Sequence, residues 1–71
     1  MNVLVFKTDL HTHERVSDIS PILTHLKDIN RWNVDVQDCD HVLRIESETV
    51  SARRIEQLLS SAGYFCEELT D

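Results

Sequence analysis

Apolar and polar positions alternate with two different periods along this chain, and the switches between them predict six elements in the order β-α-β-β-α-β. Residues 2–8 are rich in β-branched and aromatic side chains, with Val3 and Val5 on one side and Leu4 and Phe6 on the other. A strand apolar on both faces belongs in the middle of a sheet. From residue 16 the period becomes helical: Val16, Ile19, Ile22, Leu23 and Leu26 share one stripe, while Ser17, Asp18, Thr24, Lys27 and Asp28 take the outside. Thr12 stands in an N-cap position. Pro21 removes a backbone donor inside that stretch, yet the stripe crosses it in phase. One kinked helix closed by Asn30 is therefore expected, the alternative being a shorter helix with Ser20 as cap and Pro21 at the first position. Trp32, Val34 and Val36 then alternate with Asn33, Asp35 and Gln37, and Leu43 and Ile45 with Arg44 and Glu46. Joined by Asp38-Cys39-Asp40, the two runs predict a β-hairpin. Ser51 caps a second helix with the stripe Ile55, Leu58, Leu59 and Ala62, and Gly63 sits where a left-handed C-terminal residue belongs. Residues 64–69 read as a last short strand.

That order, in a single domain spanning residues 1–71, predicts an α+β fold: a ferredoxin-like βαββαβ sandwich, a four-stranded antiparallel sheet with two helices on one face. Alternating directions bring the first turn (9–15), the hairpin turn (38–41) and the Gly63-Tyr64 junction to one end. If Val3, Val5, Leu43 and Ile45 face the helices, then Leu4, Phe6, Val42 and Phe65 face outward. Such an apolar cluster on an open sheet face predicts a protein partner or a homodimer there.

Composition narrows the function. Seventy-one residues suffice for one thin core and not for a deep catalytic cavity. Thirteen acidic against seven basic residues give a formal charge of −6, with no basic cluster longer than Arg53-Arg54. Neither nucleic acid nor an anionic membrane surface is the expected partner. No leader-like segment and no run of 18 apolar residues is present, so a soluble, cytoplasmic protein is expected. Cys39 and Cys66 are too few for a disulfide framework, and two free thiols are the expectation. Cys66 reads as a core thiol, Trp32 as a core edge and His25 as a surface residue.

The densest local chemistry is Asp9-Leu10-His11-Thr12-His13-Glu14-Arg15, with four ligands or proton carriers in seven residues. Laid along most of its length, the chain resembles a heavy-metal-associated domain, the fold of small copper chaperones. Leu10 stands at that family's buried methionine position. Val16, Ile19, Leu23 and Leu26 stand on its first-helix core positions, and Ile29 opens its hairpin. Val34, Val36, Leu43 and Ile45 follow its core strands, and Ala62-Gly63-Tyr64 reproduces the end of its second helix. The resemblance implies the fold and docking of a partner through the first turn. It also puts Thr12 and Arg15 at the two positions of the family's Cys-x-x-Cys, so its copper(I) chemistry is not carried over.

A different site can stand in its place. His11, His13 and Glu14, with Asp9 nearby, offer nitrogen and oxygen ligands suited to zinc, nickel or copper(II), and the topology brings Cys39 and His41 to the same end. The same residues also read as solvated turn side chains with no cofactor. A third reading, an enzyme with His11 or His13 as general base oriented by Glu14 or Asp9, lacks an evident nucleophile or pocket, and a non-enzyme is expected. The expected function is thus a small domain acting as a protein-interaction module or binding a borderline metal through its histidines. The alternative is a metal-free structural or regulatory dimerisation module.

Overall fold

The two periods resolve into β1 (Asn2–Thr8), α1 (His13–Thr24), β2 (Ile29–Val34), β3 (Leu43–Ser47), α2 (Ala52–Ser61) and β4 (Cys66–Glu68). The computed structural model describes residues 2–69; Met1, Thr70 and Asp71, which the single-domain reading also takes in, lie outside the described residues. The fold is α+β: a four-stranded antiparallel sheet of order β2-β3-β1-β4 and two helices, consistent with a ferredoxin-like arrangement. β1 is central, as its two apolar faces predict. No helix among the described residues is long and apolar enough to cross a membrane.

One core holds the elements together. Phe6, Leu10, Ile19, Leu23, Leu43, Ile45, Ile55 and Leu59 are fully buried in a single cluster, and Trp32, Val34, Tyr64 and Cys66 pack at its edge. Burying each large aliphatic or aromatic side chain contributes about 1.5–3 kcal/mol. The facing of β1 corrects the sequence reading. Leu4 pairs with Ile45 and Phe6 with Leu43, and directly opposed residues of an antiparallel pair share a face. Leu4 and Phe6 therefore turn inward, followed at the same parity by buried Thr8 and Leu10. The outward positions of β1 are Val3, Val5 and Lys7, set beside Glu46, Arg44 and Glu67. An interaction surface built on Leu4, Phe6, Val42 and Phe65 does not exist: Phe6 lies in the core, Val42 is half-buried and only Phe65 stands exposed. Size decides the facing, because the larger Leu and Phe fill the core while Lys7 keeps its charge in water.

The helices start as expected. Thr12 and Ser51 are the N-caps, their hydroxyls accepting from the N–H groups of Arg15 and Arg54 at 3.2 Å each. α1 runs through Pro21 without a break but ends at Thr24, short of the expected Asn30. Residues 25–28 instead form a tight turn, Leu26 N–H donating to Leu23 C=O (3.2 Å) and Ile29 N–H to Leu26 C=O (3.3 Å), so β2 begins at Ile29. The hydroxyl of Ser47, itself buried, donates to Asp28 C=O at 2.6 Å and accepts from Val50 N–H at 3.0 Å, which ties that turn to the end of β3. α2 ends in a Schellman motif: Tyr64 N–H reaches Leu59 C=O (2.9 Å), Gly63 N–H reaches Ser60 C=O (3.0 Å), and Gly63 supplies the left-handed φ of 93°.

Candidate functional site at the polar end

Thr8 organises the end of the sheet where three connections meet. Its backbone N–H donates to Asp40 C=O (3.1 Å), its hydroxyl donates to His41 C=O, and the same oxygen accepts from Leu10 N–H (3.1 Å). With Leu10 buried as an anchor, the flanking Asp9 and His11 turn away from the core. His11 N–H bonds Asp9 C=O at 2.9 Å, a three-residue γ-turn about Leu10. The hairpin connection, residues 35–42, is longer than the expected Asp-rich turn. Asp35 N–H folds back to Val42 C=O (2.9 Å), its carboxylate accepts from Gln37 and Asp38 N–H, and Asp38 in turn accepts from Asp40 N–H at 2.8 Å. That folding takes Val36 out of the strand in which alternation placed it.

These turns bring His11 and His41 together, with ring centroids 5.7 Å apart and planes tilted by 49°. Each ring is held by its Nδ1: His11 against Asp9 C=O at 2.9 Å, His41 against Val36 C=O at 3.3 Å. A carbonyl oxygen only accepts, so both contacts assign a proton to Nδ1, and a ring in its neutral form then has its lone pair on Nε2. His41 is also the one non-glycine residue with positive φ (46°) among the described residues, a conformation that costs about 1–2 kcal/mol. His13 and Glu14 stand exposed in the first turn of α1. Cys39 is exposed between Asp38 and Asp40, and these three form the one group of three or more metal-ligand atoms within 4.8 Å of one another among the described residues.

Beside the histidines lies a network that the sequence reading missed. Asp9 accepts from Phe65 N–H at 3.0 Å with one carboxylate oxygen and faces the Arg15 guanidinium at 3.4 Å with the other. Arg15 also sits 6.0 Å over the Tyr64 ring, whose hydroxyl donates to Asp18 at 2.9 Å. That hydrogen bond to Asp18 raises the Tyr64 hydroxyl above its ordinary range. The first turn, α1 and the α2–β4 junction are thereby joined, as the topology predicts. Neither Thr12, which spends its hydroxyl on the helix cap, nor Arg15, a cation paired with Asp9, offers a soft-metal ligand. Cys66, opposite Thr8 in the sheet, lines a shallow groove with Glu56, Gln57, Ser60 and Ser61, and burial pushes its thiol up to about 12, away from the reactive thiolate form. No protein-family model matches the chain, and no curated protein matches it.

Proposed function

We propose that this chain is a small non-enzymatic domain of the heavy-metal-associated type that binds a borderline divalent metal, zinc, nickel or copper(II), through histidines at its polar end. The observation that carries the reading is the His11–His41 pair with both Nδ1 atoms engaged by backbone carbonyls. A metal-bound imidazole characteristically donates its second ring nitrogen to a carbonyl or carboxylate, which fixes the tautomer and aims the free lone pair. A tetrahedral metal with nitrogen ligands at about 2.0 Å holds two ring centroids about 5 Å apart. The 5.7 Å between His11 and His41 is close to that spacing. The left-handed backbone of His41 adds support, since strained residues cluster where function needs a side chain aimed. Asp38 and Asp40 on the same loop supply negative potential for a cation.

The resemblance to heavy-metal-associated domains belongs to this proposal, as does the placing of both helices on one sheet face. The latter is supported by Ile19 and Leu23 of α1 joining Ile55 and Leu59 of α2 in one cluster with Phe6, Leu43 and Ile45. The free thiols of Cys39 and Cys66 suit a cytoplasmic protein. A second reading, a metal-free structural or regulatory module, is favoured by Arg15, which lends the first turn a cation of its own.

Isothermal titration of the reduced protein with each metal separates the two. Micromolar or tighter binding that disappears in a His11→Ala, His41→Gly double variant supports the metal reading. Absence of binding by the wild-type chain supports the metal-free module.

A further inference from the structure

We propose that one metal ion is shared by two copies of this chain, each contributing His11 and His41, so that the cation bridges a homodimer at the polar end of the fold. The inference rests on the histidine reading above and extends it to a partner. Zinc takes four ligands in a closed site. A single chain brings two imidazoles together, and the neighbouring carboxylates of Asp9, Asp38 and Asp40 already hold partners. Both carboxylate oxygens of Asp9 are used, one by Phe65 N–H and one by Arg15. Asp38 accepts from Asp40 N–H, and Asp40 lies 3.8 Å from the Lys7 ammonium. The Asp38-Cys39-Asp40 group includes neither histidine. Half of a tetrahedral shell is therefore present per chain, and a twofold axis through the metal completes it with the same two residues.

Position and charge agree with this arrangement. His11 is exposed on a turn at one end of the molecule, where a second copy can approach. Two chains of formal charge −6 repel one another, so contact without a cation is disfavoured. The dimer then depends on the metal.

The test is sedimentation velocity of the reduced 71-residue chain with zinc ion added from zero to two equivalents, run beside isothermal titration of the same samples. The bridge predicts a monomer of 8.3 kDa without zinc, a doubled mass with zinc, saturation at one zinc per two chains, and reversal by a chelator. His11→Ala, an exposed change, and His41→Gly, which suits the left-handed backbone, each abolish the doubling. Zinc bound at one per chain to a monomer, weakened by Cys39→Ser or His13→Ala, overturns the bridge and leaves the metal reading intact. A dimer that forms without zinc, or persists in both variants, overturns the bridge as well. No zinc binding at all overturns both proposals.

Discussion

Replacing Phe6 with leucine probes which face of β1 the core uses. Phe6 is fully buried against Leu43 in a cluster of eight such residues. A Phe→Ala change at a site of this kind costs about 3–5 kcal/mol. A domain of this length has only about 4–10 kcal/mol to lose, so alanine risks unfolding the chain outright. Phe6→Leu keeps an apolar side chain and leaves a smaller void, at about 1–2 kcal/mol. Val3→Thr is the control: Val3 is 45% exposed on the opposite face, and threonine keeps the β-branched shape, so the cost is within about 0.5 kcal/mol. With a urea slope of about 1 kcal/mol/M for a protein of this size, the Phe6→Leu midpoint falls by about 1–2 M and that of Val3→Thr by no more than about 0.5 M. Far-UV circular dichroism during urea titration reads both. Equal losses, or a larger loss for Val3→Thr, would refute the inward facing of Leu4 and Phe6.

Three further expectations concern the site and the thiols. His41→Gly relieves the left-handed backbone that His41→Ala retains, so the glycine variant is more stable by about 1 kcal/mol, or about 4–8 °C in melting temperature; a glycine variant melting below the alanine one would contradict the strain. Cys66, with its thiol pushed to about 12 from the ordinary 9.0 chiefly by burial, stays protonated in the folded chain. The unfolded chain releases that proton near its ordinary value, so it binds fewer protons than the folded one between these limits and stability falls as pH rises through that window. Tyr64 acts in the same sense, so the Cys66 contribution is read as the difference between the wild type and Cys66→Ala in urea midpoints at pH 8 and 10. At pH 8 an aromatic disulfide reagent modifies exposed Cys39 fast and Cys66 only after denaturation, whereas equal rates would remove the basis for an inert thiol.

Local signals were legible in the chain and distant geometry was not. Thr12 and Ser51 cap their helices and Gly63 takes the left-handed position, because caps and C-terminal glycines act within a few residues. β1 misled the reading, since Val-Leu-Val-Phe is apolar at both parities. Lys7 was the available clue: it shares the parity of Val3 and Val5, and an ammonium pointing into a core of this size would be unpaired. Val36 continued the alternation past the end of β2, where the Asp35 side chain turns the backbone instead. Strand directions sufficed to bring the first turn and the hairpin loop to one end. The His11–His41 separation, the positive φ of His41 and the double use of Asp9 arise from hydrogen bonds across more than 30 residues, such as Thr8 to His41 and Phe65 to Asp9. No sequence period encodes those.

The most direct measurement is a long-range ¹H–¹⁵N correlation spectrum of the histidine rings at neutral pH, before and after zinc. Rings of His11 and His41 in the Nδ1–H form, with both Nε2 resonances shifting on zinc addition while His25 stays still, are the predicted result. Nε2–H tautomers in the free protein, or Nε2 resonances indifferent to zinc, would contradict the assignment of these two histidines as a metal-binding pair.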